Sequence, residues 1–571
     1  MRRLARPLAV LALAATLVVP GASASAGAPG PTLSAASARL TGSSSVSAPA
    51  SASGLHLSAA AVIAATTTSA FKGSWSSYHT YAEVVADIKA VAAAHPDLVS
   101  LRSIGTSYRG RALWLAKVSQ DVTVDSGRPE VLYEGGTHGL EHMGVEMTIR
   151  LLHWLVDGYS SDAQVTSIVN TRTVWILFNL NPDGSEYDIA NGAFHSWRKN
   201  RQPIATTTGT DLNRNWRYHW GCCGLVSANP ASVYYRGAAP YSAPEVQALR
   251  AFIASRVVNG RQMIRTAIDF HESGRFVLWP YDYTTANVPA DMTAQDHSAI
   301  AALAKKMAAL NGYKAMQSSD MYVDSGSLSD WLYGTYRVFA YTIEMGVDVY
   351  RTNSVMLAET ARNRTAALAL AVAAGCPYAL LGATVANARC GAFDDDFEIA
   401  RGWAVNPDGT DTAPTSARWA RGKPVATKVS GVTLQPGTVP SGRDALITGI
   451  AAGTSASAND LDGATTVRSV PIALPAAAGQ QLTFRWLFAH AANSTADDHL
   501  RALVEAQDGT QTVVWEQLGA AALVGGTWGS ASVPLDAWAG QTIRIRFEAA
   551  DGGSASTVEA GIDDVRVTRP S

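Results

Sequence analysis

A chain of 571 residues, 47% hydrophobic and 16% charged, exceeds what one core organises, because single cores stop growing at about 250 to 300 residues. It reads as a globular protein of two or three domains. A formal net charge of −2 supplies no basic field for nucleic acid or an anionic membrane surface, so neither is expected as a partner.

Arg2, Arg3 and Arg6 precede an apolar run from Leu8 to Val19, then Pro20 and the small residues Ala22 to Ala26. This is the pattern of a secretory signal with A-x-A cleavage sites over residues 1–26. The apolar run is shorter than the roughly 20 residues a membrane-spanning helix needs, and an extracellular location follows. From Gly27 to Ala70 the chain is mostly Ala, Ser, Gly, Thr and Pro. Such a composition buries too little to offset its ordering entropy, so residues 27–72 are expected to form a leader or short pro-segment. Order is expected from near Trp75, where Val84, Val85, Ile88 and Val91 recur at helical spacing before His95-Pro96 stops the helix. Two strands follow, Val99–Ile104 and Ala112–Val118, joined by the turn Tyr108-Arg109-Gly110-Arg111.

The apolar strand Glu130–Glu134 runs into Gly135-Gly136 and then His138-Gly139-Leu140-Glu141. Imidazole and carboxylate both suit zinc, and a catalytic site needs three protein ligands so that a fourth position stays open. Alone, His-x-x-Glu is common and reads equally well as a surface turn. A helix carrying Val145, Ile149, Leu152 and Val156 on one face comes next, then the strand Thr173–Phe178, closed by Asn181-Pro182-Asp183-Gly184. Strands and helices alternate, which predicts an α/β domain.

Trp197-Arg198-Lys199-Asn200-Arg201 and Asp211-Leu212-Asn213-Arg214-Asn215-Trp216 set guanidinium groups in segments that are loops by composition. A planar fork holds a carboxylate bidentately, and an amide such as Asn213 adds a donor; Lys199 and Arg201 read as solvated. The strands Met263–Phe270 and Val338–Glu344 deliver polar residues at their carboxyl ends, where open α/β sheets hold their sites. His271 ends the first and is the expected third zinc ligand. Glu344 ends the second as a single carboxylate, costly in an apolar strand unless paired or working and suited to act as a general base. Tyr322 stands ahead of Ser325-Gly326-Ser327, a loop able to swing a phenol over a cleft.

Four cysteines in a chain with an export signal point to disulfides. Cys376 and Cys390 bracket a short loop and are expected to pair. The adjacent Cys222 and Cys223 are able to bond to each other, with connectivity left open. Beyond Cys390 the texture changes to short alternating segments, among them Gln481–Phe488, Ala502–Ala506, Thr512–Trp515 and Thr542–Phe547. Residues 391–571 therefore read as a separate all-β sandwich of the jelly-roll type. Its carboxylates at Asp394-Asp395-Asp396, Asp497-Asp498 and Asp563-Asp564 are placed to share a structural Ca2+ if first and last strands lie together; solvated turns are the alternative.

The order of these clusters resembles the zinc metallocarboxypeptidases, the carboxypeptidase A and B family, over about Trp75 to Leu380. The resemblance implies a catalytic domain over residues 73–385 with a mixed central sheet flanked by helices. It implies one catalytic Zn2+ on His138, Glu141 and His271, with Glu344 as general base and Arg198 stabilising the oxyanion. Asn213, Arg214 and Tyr322 would hold a free terminal carboxylate, so the substrate is the C-terminus of a peptide or protein. The pocket for the terminal side chain would be walled by Leu278, Asp282, Met321, Asp324, Ser327, Ser329 and Thr342. Two carboxylates there favour Lys or Arg, since a terminal cation would otherwise be buried unpaired. Ser329 stands where the basic-specific animal enzymes carry an aspartate, which leaves a mixed basic and apolar preference open. Residues 27–72 are unlike the folded inhibitory pro-domain of the digestive enzymes, and Cys222-Cys223 is unlike their disulfide. The C-terminal region is similar to accessory modules of secreted bacterial hydrolases that bind glycans or proteins, or assist folding. Two other readings use the same scaffold: a peptidase of cell-wall murein peptides, and an inactive secreted binding protein. The intact Asn213-Arg214 pair argues against the first, and the full ligand set with Glu344 against the second.

Overall fold

Eight strands build the central sheet: β1 (Val99–Thr106), β2 (Ala112–Val118), β3 (Glu130–Gly135), β4 (Thr173–Leu177), β5 (Ile264–Glu272), β6 (Phe276–Trp279), β7 (Lys314–Gln317) and β8 (Phe339–Met345). This computed structural model describes residues 78–451 and 459–569. The signal and leader over residues 1–72, and the onset of order near Trp75, lie outside the described residues. The strands are ordered β1-β2-β4-β3-β5-β8-β6-β7. β4, β3, β5 and β8 run parallel to one another, while β1, β2 and β6 bring in antiparallel pairings. The sheet is therefore mixed, as expected.

Strand alternation feeds two cores. Val174 and Ile176 of β4 face one side with Val131 and Tyr133 of β3, while Trp175, Leu177 and Leu132 face the other. Both faces are covered, so β3 and β4 are buried along their whole length and read as continuous apolar runs. The first face carries the helices Tyr81–Ala94, His142–Gly158, Ala294–Asn311 and Asn353–Ala373, and the second carries Pro244–Ser255 and Leu328–Tyr336. The Tyr81–Ala94 helix opens on a capping box between Thr80 and Glu83, which satisfies amide donors that the first turn leaves free. It stops at His95, ahead of Pro96. No helix among the described residues is long and apolar enough to cross a membrane.

After the Ala383–Arg389 helix the chain builds two antiparallel six-stranded sheets. Gln481–His490 and Val558–Val567 lie centrally in one, His499–Glu505 and Thr542–Asp551 in the other. Phe484, Phe488, Phe547, Ile545, Ile562 and Val565 fill the core between them. The first strand, Phe393–Asp395, does pair with the last, Val558–Val567. The expected calcium site is nevertheless not supported. Asp394 pairs with Arg389 at 3.1 Å and with Arg566 at 3.0 Å, Asp395 lies 3.5 Å from Arg401, and Asp396 lies 3.4 Å from Arg389. Asp564 also pairs with Arg566, at 2.7 Å. Asp498 lies in a different turn, where it accepts hydrogen bonds from Ser494, Thr495, Gly552 and Ser556. The first group has its charge offset by guanidinium groups and Asp498 lies apart from it in its own hydrogen-bonded turn, so among the described residues these carboxylates form no shared cation site. Cys376–Cys390 and Cys222–Cys223 both form disulfides.

Candidate active site

β3, β5 and β8 are parallel neighbours, so their carboxyl ends open at one edge of the sheet. Gly135 stands opposite Phe270 in the register, and His271 opposite Glu344. The turn after β3 carries His138, and Glu141 immediately precedes the His142–Gly158 helix. That helix begins hard against the sheet: a Cβ on Gly144 would stand 2.4 Å from the carbonyl oxygen of Phe270. The close approach brings His138, Glu141 and His271 together, all three buried.

Their donor atoms converge. His138 Nδ1 is 2.7 Å from one oxygen of Glu141 and His271 Nδ1 is 2.8 Å from the other, and the two Nδ1 atoms are 3.1 Å apart. Each imidazole meets a second carboxylate behind it, His138 Nε2 with Asp211 at 3.1 Å and His271 Nε2 with Asp269 at 2.7 Å. A carboxylate at Nε2 keeps the proton there and turns the Nδ1 lone pair inward. Two such lone pairs facing each other beside a carboxylate repel unless a cation lies between them. Two imidazoles and one carboxylate with orienting partners suit zinc, with a fourth position left open. Among the described residues this is the group of three suited to a metal ion. Burial pushes the Glu141 carboxyl up, but His138 and His271 outweigh it and hold the group below the usual range. Burial pulls the His271 imidazole down, but so long as no cation lies between the rings Asp269 and Glu141 outweigh it and hold the group well above its ordinary value, a shift that a bound cation would oppose.

The remaining expected residues gather around this centre. Glu344 is buried, and one of its oxygens has no hydrogen-bond partner among the described residues. Burial pushes its carboxyl up to about 8, with Glu141 adding to the effect and His271 opposing it. Arg198 donates from Nε to Asp211 at 2.9 Å, and its Nη1 lies 3.7 Å from Glu141. Asp211 thus holds His138 with one oxygen and Arg198 with the other. It also caps the turn Leu212–Arg214 by accepting from the Asn213 N–H. Asn213 in turn accepts from the Leu328 N–H at 3.0 Å, and the fully buried Arg214 meets Asp324 at 2.6 Å. Tyr322 is 39% exposed, on the segment before Asp324. Asp282 accepts from the hydroxyls of Ser327 and Ser329, and its own N–H donates to Asp330. Of the two expected pocket carboxylates, Asp324 therefore has a cation as partner and Asp282 has hydroxyls.

Three contributors went unread in the sequence. Asp269 lies two residues before His271 on the same strand, hence on the same face, and this spacing was a usable signal. Asp211 stands in the Asp211-Leu212-Asn213-Arg214 run, where the sequence assigns it no role. Glu134, fully buried, accepts from Thr137 and stays well above the usual carboxylate range through burial and the nearby Asp269; nothing local marks it.

A buried three-ligand metal centre at the carboxyl ends of a mixed α/β sheet, beside a lone glutamate and an arginine, defines a metal-dependent hydrolase. The family model described as zinc carboxypeptidase matches residues 84–367. A zinc carboxypeptidase of Saccharothrix mutabilis subsp. capreolus is 40% identical over 328 residues, which are 55% of this chain and 73% of that protein. Carboxypeptidase B of Astacus astacus is 28% identical over 278 residues, 48% of this chain and 87% of that one. Carboxypeptidase A from Helicoverpa armigera, a solved structure, aligns with a TM-score of 0.46 at 23% identity over 57% of this chain and 79% of its own. The chain belongs to the zinc carboxypeptidase family and is a metallocarboxypeptidase acting on peptides, and the family implies Zn2+.

Proposed function

We propose that this enzyme is exported and removes single residues from the C-termini of peptides and proteins, with a preference for Lys and Arg and tolerance of apolar residues. What carries the reading is the convergence of His138, Glu141 and His271 beside Glu344, linked through Asp211 to Arg198 and to the Asn213-Arg214 turn. His138, Glu141 and His271 would hold zinc, which when bound polarises a carbonyl and lowers the pKa of a water. Asn213, Arg214 and Tyr322 bind the free terminal carboxylate and so restrict cleavage to the last peptide bond. Arg198 donates to the oxygen that gains charge as the carbonyl is attacked. Glu344 takes the proton of the attacking water and delivers it to the leaving amine.

Asp282 supports the basic preference. It is buried, it accepts from the hydroxyls of Ser327 and Ser329 with no ion-pair partner among the described residues, and Asp324 is engaged by Arg214. A terminal ammonium or guanidinium would be its cation. Export rests on the run from Arg2 to Ala26, with residues 27–72 as a leader, and two disulfides fit an oxidising compartment. In this reading residues 73–385 are the catalytic domain and 391–571 a jelly-roll module that binds a glycan or protein.

The test is amino-acid release from blocked dipeptides ending in Phe, Leu, Lys, Arg and Glu, with and without a chelator, beside Glu344→Gln. Chelator-sensitive release, fastest for Lys and Arg and lost in the variant, is the expected result. Zinc-loaded enzyme that releases nothing from any member would sink the exopeptidase reading.

A further inference from the structure

We infer that the bond between the adjacent residues Cys222 and Cys223 is a positioning element of the carboxylate clamp, an inference that rests on the exopeptidase reading of Arg214 and Tyr322. The loop that carries the disulfide touches both parts of the clamp. Leu225 presents its carbonyl to the Nε of Arg214 at 2.8 Å and donates its N–H to the carbonyl of Val323, beside Tyr322, at 2.8 Å. The Cys223 N–H faces the hydroxyl of Ser325 at 3.5 Å. Gly224 lies between them with φ of +68°, and a Cβ there would stand 1.9 Å from the Val323 carbonyl oxygen. The cysteine loop is thus pressed against the Tyr322 segment with no room for a side chain.

The same segments are tied from the other side. Trp216 donates its N–H to the Gly326 carbonyl at 3.1 Å, and Asn213 accepts from the Leu328 N–H. Residues 213–216, 222–225 and 322–328 therefore form one hydrogen-bonded unit. The Arg214 guanidinium has three partners in it: the carbonyls of Leu225 and Asn213, at 2.8 and 2.7 Å, and the Asp324 carboxylate at 2.6 Å. A guanidinium is a rigid planar fork, so a shift of the Leu225 carbonyl re-aims the whole group.

Besides the Leu225 N–H bond to Val323, the loop is tied by Trp220 Nε1 donating to the Arg236 carbonyl and Arg236 Nη1 donating to the Gly221 carbonyl. Residues 217–226 contain no helix or strand, and the backbone bonds within them are turn bonds such as Cys222 N–H to His219 and Val226 N–H to Gly224. The disulfide closes a ring across a single peptide bond and removes rotational freedom from both residues. Opening it leaves these hydrogen bonds chemically available but makes the clamp pose bear the ordering cost of the loop. Cys222 is exposed and Cys223 half-buried, whereas Cys376 and Cys390 are buried. The clamp grips the terminal carboxylate in ground state and transition state alike, so its loosening raises KM and leaves kcat unchanged.

The experiment compares the wild type with the double variant Cys222→Ser, Cys223→Ser, each before and after a trialkylphosphine. Dithiols are avoided because thiolates bind zinc. The phosphine attacks one sulfur and displaces the other as thiolate, and water then displaces the phosphorus-bound sulfur, giving phosphine oxide and two cysteine thiols. The double variant is expected to show KM raised about tenfold, the worth of one hydrogen bond to a charged group, with kcat and zinc content retained. Phosphine should bring the wild type to the same KM and leave the variant where it stands. Amide exchange at Leu225 and Trp216 should quicken in the same cases, a readout that needs no turnover. A disulfide that served stability alone would lower kcat, zinc content and thermal midpoint together. Wild-type KM and wild-type exchange in a zinc-loaded variant would overturn the inference, and if the variant does not fold, an unchanged KM in phosphine-treated wild type does the same. A wild type that releases no residue overturns the exopeptidase reading and this inference with it, a result seen before any cysteine is altered.

Discussion

Around the metal centre, Glu141, Asp211 and Asp269 face the imidazoles of His138 and His271, whereas in the C-terminal sandwich Asp394, Asp395 and Asp396 face Arg389, Arg401 and Arg566. Both are groups of buried or half-buried carboxylates, and the partner decides what each does. Imidazole carries a lone pair and gives up its proton near neutral pH, so carboxylates behind it strengthen a ligand. Guanidinium stays charged and has no lone pair to give, so carboxylates beside it are neutralised. Arg389 also lies 3.4 Å from Asp296 of the Ala294–Asn311 helix, which makes the second cluster a tie between the sandwich and a helix that packs on the central sheet. Glu559 stands in a third situation: it is fully buried on the strand Val558–Val567, accepts from Thr427 at 3.2 Å, and faces no cation in any hydrogen bond or ion pair among the described residues.

The sharpest way to separate the two clusters is to disable each. Glu344→Gln should lower kcat by about a thousandfold, within the range for a positioned acid-base group, with zinc retained and the thermal midpoint unchanged; measured release rates and metal content check it. Arg389→Ala should instead leave zinc content intact while costing about 3 to 5 kcal/mol, because it strands buried carboxylates; urea unfolding of the sandwich reads this. Asp282→Gly should cut the Lys-to-Phe ratio of kcat/KM by about tenfold or more, as a buried charged partner is lost, and an unaltered ratio would move the basic preference elsewhere.

Glu559 yields a pH test. Burial pushes its carboxyl up to about 8 from 4.5, so the fold favours the protonated form. Its contribution is complete below the unfolded value and declines as pH rises from 4.5 toward 8, with a slope of at most about 1.4 kcal/mol per pH unit. Glu559→Gln should remove that part of the dependence, as followed by thermal unfolding across pH 5 to 9. The smallest expected effect is none: millimolar calcium should leave the unfolding midpoint where it was, and a rise would show that carboxylates outside the arginine pairs still bind the ion.

Much of the centre was legible because its signals are local. His138 and Glu141 are three residues apart after a strand, and His271 and Glu344 end strands whose apolar runs mark them as central. The pairing of Cys376 with Cys390 follows from a short intervening loop. The partners were not legible. Asp394 resembled a calcium ligand until Arg566, 172 residues further on, came to lie beside it. Asp324 looked like a free pocket carboxylate because nothing near it announces Arg214.

The sequence by itself determined six of the eight central strands, missing the short β6 and β7, and also that strands alternate with helices before giving way to short β segments and which residue types stand at strand ends. Periodicity and turn chemistry act over a few residues, so these are readable without a fold. Only the tertiary structure decided which carboxylate meets an imidazole, which a guanidinium and which neither. That choice depends on side chains drawn together from distant parts of the chain by the packing of two cores, and the charge state of a buried group belongs to its neighbours in space.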